Sequence, residues 1–111
     1  MTDPLERIQH IQTAITKINK YTKRGRRRFD REEETQNSIV YYLQIMGEAA
    51  SALPLEFRNL HPEIPWRSMI NMRNKLIHHY DGIDLDIVWE TATVGIPDLA
   101  VKILSILEDN A

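Results

Sequence analysis

The chain has 111 residues, a formal net charge of −2 and no cysteine. That length fits one domain, residues 1–111, burying roughly 65% of its unfolded surface without covalent staples. Disulfides, thiolate chemistry and Cys-based metal sites are excluded; no apolar run approaches the roughly 20 residues of a membrane span, and Met1-Thr2-Asp3-Pro4 predicts no signal peptide, so a cytoplasmic location is expected.

The predicted elements are all helical. Asp3 can cap a first helix with Pro4 at its first position, and Leu5, Ile8, Ile11, Ile15 and Ile18 recur at three- and four-residue steps. Gly25 and the arginines around it predict a stop near residue 24. Lys23, Arg24, Arg26, Arg27, Arg28 and Arg31 form a basic run. Within it Arg26–Arg28 reads either as a grip for RNA or a protein partner, or as a solvated, mobile loop.

A second helix is predicted from near Asp30, with Glu32, Glu33 and Glu34 at its positive end and Ile39, Leu43, Met46, Ala50 and Leu53 as its apolar face. Gly47 inside that helix costs about 1 kcal/mol against alanine, which predicts a close helix contact there. Pro54 ends the run, Leu55 to Leu60 can form one extra turn, and Pro62 and Pro65 bracket a rigid connection.

A third helix is predicted from Pro65 or Trp66 toward Tyr80, then an Asp81-Gly82 turn and a fourth helix capped by Asp84. Gly95 and Pro97 are expected to break or kink the chain beyond it, before a last stripe of Leu99, Ile103, Ile106 and Leu107. Trp66 and Trp89 read as core residues, and His10 and His61 as structural ones. No stretch reads as a strand, so the fold class is all-α, a small up-and-down bundle of about four to five helices.

Residues 73–80 read Arg73-Asn74-Lys75-Leu76-Ile77-His78-His79-Tyr80. A permanent cation and a base titrating near neutrality are the minimum kit for cleaving RNA without a metal. Attack by a 2′-hydroxyl needs a base, which His78 can be, and a cation on the crowded phosphate, where the planar fork of Arg73 gives bidentate contacts. His78 can equally serve as the acid for the leaving oxygen. The product is a 2′,3′-cyclic phosphate, and neither metal nor cofactor is called for. His79 reads as a bystander rather than a second titrating group. At about 100° per residue His78 lies about 140° around a straight helix from Arg73, whereas Tyr80 returns to within about 20°. Three arrangements reconcile the offset: a helix loosened near His78, a long arginine reaching around, or a second copy supplying the complement. Asn74 stands four residues before His78, where its amide can orient the imidazole. Glu48 reads as a structural partner for Arg73 or Arg67, or as an acid at the cleft.

The spacing R-x-x-x-x-H-x-Y resembles the HEPN superfamily of metal-independent ribonucleases, and within it the HepT-like toxins. Ile45-Met46-Gly47-Glu48-Ala49 resembles the family's "IGEA" segment, and His61-Pro62-Glu63-Ile64-Pro65-Trp66-Arg67 its "PEIPW" lead-in. Asp81-Gly82-Ile83-Asp84 and Val88-Trp89-Glu90 are similar to the family's segments on the C-terminal side of its tyrosine. The resemblance implies a helical bundle, an endoribonuclease with catalytic Arg73 and His78, and a homodimer with paired motifs facing one cleft. It also implies a toxin–antitoxin pair in which a cognate nucleotidyltransferase antitoxin attaches AMP to Tyr80. Without the resemblance, Tyr80 can hydrogen-bond the scissile phosphate, stack on a base or close the helix end. The alternative function is a non-catalytic helical dimer that binds a nucleotidyltransferase or RNA. A DNA-binding regulator is less favoured, since no helix carries a basic recognition face.

Overall fold

The apolar stripes form helices where their periods predict. Helix α1 spans Pro4–Thr22, with Asp3 Oδ1 accepting the Leu5 amide at 3.0 Å. Helix α2 covers Arg26–Arg31 and α3 covers Glu33–Ala52. Next come α4 (Leu55–Leu60) and α5 (Trp66–His78), a 3₁₀ turn at Tyr80–Gly82, and α6 (Leu85–Glu90). A π-helical segment, Thr91–Gly95, joins α6 to α7, Ile96–Asp109. This is a computed structural model, and it describes residues 3–78 and 80–111, with Tyr80 in its backbone alone. Every regular element among the described residues is helical. None of these helices is long and apolar enough to cross a membrane.

Helix α3 is the centre of the bundle. It packs against α1 on one side and α5 on the other, while α1 also meets α7. The core is one contiguous cluster that includes Ile8, Ile11, Ile18, Ile39, Met46, Val88 and Ile103. Trp66 is buried within it, and its indole N–H donates to the carbonyls of Arg58 and His61. Those two bonds pin α4 and the Pro62–Pro65 connection to the start of α5. Trp89 is half-buried and packs on Phe29 at 5.0 Å between centroids.

Three boundaries differ from the sequence expectation. Arg26–Arg31 form a helix, with Lys23 and Arg24 in the turn before it, and α3 starts at Glu33 rather than near Asp30. Gly25 makes the corner, with φ +93°, a left-handed backbone that favours glycine. Gln36 then donates to the carbonyls of Phe29 and Asp30, so the end of α2 is tied to α3. Second, Gly95 and Pro97 do not break the helical path between α6 and α7. The π segment, which ends at Gly95, shifts the hydrogen-bond register, and Pro97 falls in the first turn of α7, where its missing N–H costs little. Third, α5 is α-helical as far as His78, and Tyr80 opens a separate 3₁₀ turn. The seven-step argument placing Tyr80 on the face of Arg73 therefore does not carry over.

Candidate active site

Gly47 of α3 sits directly under Arg73 of α5. A Cβ built on Gly47 would lie 2.2 Å from the Arg73 Cβ, 2.9 Å from its Cγ and 2.8 Å from the Met69 carbonyl oxygen. Only glycine lets the two helices meet this closely. The close contact foreseen at Gly47 is thus a contact with the candidate catalytic arginine itself.

The next residue along α3 holds the guanidinium. Arg73 Nη2 lies 2.6 Å from Glu48 Oε2 and donates to Glu48 Oε1 at 2.8 Å. Arg73 Nη1 donates to Asn74 Oδ1 at 2.8 Å. Of the partners considered for Glu48, Arg73 is therefore the one it meets. Asn74 turns its carbonyl oxygen to Arg73 and makes no hydrogen bond to His78 among the described residues. Arg73 Nε is buried with no hydrogen-bond partner among the described residues.

His78 is the last residue of α5 and is exposed. No hydrogen bond joins it to Arg73 among the described residues. Because α5 keeps its helical form through His78, a loosened helix does not bring the two together. Arg73 does not reach around either, since its guanidinium faces α3. His79 and the Tyr80 side chain lie outside the described residues. His10 is exposed, and His61 rests on Phe57 with Nδ1 3.5 Å from Glu63. No three His, Asp or Glu side chains gather as a metal site would need among the described residues.

Three residues of the basic run, Arg24, Arg26 and Arg28, are occupied, while Lys23, Arg27 and Arg31 are exposed. Arg26 bonds Asp30 at 2.8 Å and Asp86 of α6, and its guanidinium lies over Phe29 and Trp89. Those two carboxylates raise its pKa, the Asp30 hydrogen bond foremost. Arg28 pairs with Glu32 at 2.9 Å, and Arg24 donates to the buried Thr35 hydroxyl at 3.0 Å. That hydroxyl in turn donates to Glu32 at 2.7 Å, the leading cause of a lowered Glu32 pKa.

A family model described as "Ribonuclease HepT-like" matches residues 11–106. The chain belongs to the HepT-like ribonuclease family. The match spans α3 and α5 and so takes in Gly47, Glu48, Arg73 and His78. This HepT-like chain is 41% identical over 96 residues to a protein named "Probable ribonuclease HepT" from Thermococcus cleftensis, covering 86% of this chain and 87% of that one. A Methanocaldococcus jannaschii protein whose name marks it a candidate RNase is 37% identical over 81 residues, 73% of this chain and 67% of that one. A similarly named protein of Caldanaerobacter subterraneus is 40% identical over 80 residues, 72% and 71% of the two chains. No solved structure matches the chain.

Proposed function

We propose that this HepT-like protein is a metal-independent endoribonuclease toxin, acting in the cytoplasm as a homodimer. The observation that carries the reading is the seating of Arg73. A close-packed glycine, a carboxylate and an amide fix one guanidinium on α5, five residues before an exposed histidine. An arginine held this way meets a phosphate with little loss of side-chain freedom.

His78 takes the proton of a ribose 2′-hydroxyl, and the freed oxygen attacks the adjacent phosphorus. The bond from phosphorus to the 5′-oxygen breaks, solvent water protonates that oxygen, and a 2′,3′-cyclic phosphate remains. Arg73 stabilises the extra charge on the phosphate. With a regular α5 and Arg73 turned to α3, the pairing that serves this chemistry is Arg73 of one copy with the partner subunit's His78. The regulator is a nucleotidyltransferase antitoxin that attaches AMP to Tyr80, two residues from His78. The added phosphodiester competes for Arg73 at high effective concentration.

The decisive assay is cleavage of single-stranded RNA in EDTA with analysis of the 3′ ends. Cyclic phosphate ends that vanish in a folded His78→Ala protein are expected. Undiminished cleavage by that variant removes His78 from the mechanism. The tie of Arg73 to Glu48 also favours a second reading, a non-catalytic dimer that binds RNA or a nucleotidyltransferase, because the same ion pair would hold two helices together. That reading predicts intact RNA in the same assay.

A further inference from the structure

Three tyrosines form a corner between α1 and the middle of α3. Tyr21 of α1 stacks on Tyr42 of α3 with centroids 6.5 Å apart and planes 26° apart. Tyr41 stands edge-on to Tyr42, at 5.0 Å and 75°. The rings thus make two walls at nearly a right angle. They border an open surface depression of about 500 Å³. Glu33, Glu34, Asn37 and Ser38 complete its lining. Tyr41 is 54% exposed, so core packing does not account for its ring.

The surroundings select what can enter. Arg24 lies over the Tyr21 ring at 4.7 Å, and the Lys20 ammonium approaches it at 5.9 Å. Glu33 and Glu34 line the depression on the side of α3's first turn. Their carboxylates repel a phosphate there, while the rings offer a stacking face to a flat heterocycle. Asn37 and Ser38 both donate and accept hydrogen bonds, so the corner suits any base edge.

The corner lies in register with the active site. Tyr41 and Glu48 are seven residues apart on α3, which returns Glu48 to within about 20° of the same face and about 10 Å along the axis. Glu48 in turn holds Arg73. One continuous strand can span that separation within a few nucleotides. The geometry points to the Tyr21–Tyr41–Tyr42 corner as a stacking subsite for an unpaired base of the RNA strand, a few nucleotides from the phosphate at Arg73.

This subsite rests on the ribonuclease reading for its ligand, so its test uses binding as well as cleavage. The probe is a short single-stranded 2′-O-methyl RNA, which cannot be cut by 2′-hydroxyl attack. Tyr41→Ala should weaken its binding about five-fold or more, and Tyr41→Phe, which keeps the ring, should stay within about two-fold of wild type. With a cleavable strand, Tyr41→Ala should raise KM by a similar factor and leave kcat nearly unchanged. A strand trimmed to two nucleotides around the cut site should be indifferent to Tyr41→Ala. Tyr41-dependent binding without any cleavage would keep the subsite and overturn the nuclease reading. Cleavage with KM and affinity unchanged in Tyr41→Ala would overturn the subsite and keep the nuclease. A wild-type protein that fails to bind the uncleavable strand also overturns the subsite.

Discussion

Arginines are used in opposite ways at the two ends of this molecule. At the α2 corner, Arg24, Arg26 and Arg28 form a dense basic run, yet each has an internal partner. Those partners are exposed acids such as Asp86 or the half-buried Glu32, and the contacts brace α2 against α3 and α6. At the α3–α5 contact there is a single arginine, about a quarter exposed, seated over a glycine and gripped by Glu48 and Asn74. Charge density marks the first region and placement marks the second. For phosphate chemistry placement counts more, because a positioned guanidinium has its orientation fixed before substrate arrives. Within the run of arginines that looks most like a nucleic-acid grip, Arg24, Arg26 and Arg28 are structural.

Substitutions can break this contrast in graded ways. The largest effect should come from His78→Ala, which should lower the cleavage rate about 10²- to 10⁴-fold, read as single-turnover rates on RNA in EDTA. Unfolding by urea should be nearly unchanged, since His78 is exposed and surface changes usually cost little.

Gly47→Ala comes next. The added methyl would stand 2.2 Å from the Arg73 Cβ and 2.8 Å from a backbone oxygen, neither of which is a flexible tip. Stability should fall by about 1–3 kcal/mol from overpacking, less the roughly 1 kcal/mol that alanine gains over glycine in a helix. Cleavage should fall further than stability, because the displaced stem belongs to Arg73. A Gly47→Ala protein with normal urea midpoint and normal activity would show that the helices separate at no cost.

Arg73→Lys should lose nearly as much activity as Arg73→Ala, because lysine keeps the charge and loses the fork that Glu48 and Asn74 orient. Near-normal cleavage by Arg73→Lys would reduce the role of Arg73 to charge alone. Smallest should be Arg26→Ala. Its ion pairs are well exposed and screened by solvent, so each contributes little to stability. The melting temperature should drop slightly while RNA cleavage stays intact. A large loss of cleavage in Arg26→Ala would move RNA contact back to the basic corner.

Much of the α3–α5 region was legible in the sequence. Gly47 in mid-helix is costly enough to demand a reason, and Glu48 on an apolar helix demands a partner. Asp3 and Asp84 cap the helices that their side-chain chemistry predicts. The α2 corner was not legible, because a basic run beside Gly25 has the composition of a loop. What makes it helical is remote: Asp86 lies 60 residues away and Trp89 comes from the same distant helix. Likewise Gly95 and Pro97 are breakers by local propensity, and only the π segment shows how the helix passes them. The tyrosine corner needs α1 beside α3, a tertiary fact that no periodicity contains. The expectation that Asn74 orients His78 rested on correct i, i+4 spacing, but a charged neighbour next door offers the amide oxygen a stronger hydrogen bond.

The antitoxin switch is tested by mass. Tyr80→Phe should retain much of its cleavage and gain no AMP when incubated with the cognate nucleotidyltransferase and ATP. An AMP adduct on another residue would reassign the switch.

The central claim is that Arg73 and His78 act together across a two-fold axis. Arg73→Ala and His78→Ala proteins, each inactive alone, should be mixed, unfolded and refolded together. If the site is shared, half of the dimers are mixed and each has one intact site of two, so about a quarter of wild-type cleavage should return. A mixture that contains mixed dimers by native mass spectrometry yet stays as inactive as its parents would contradict the account.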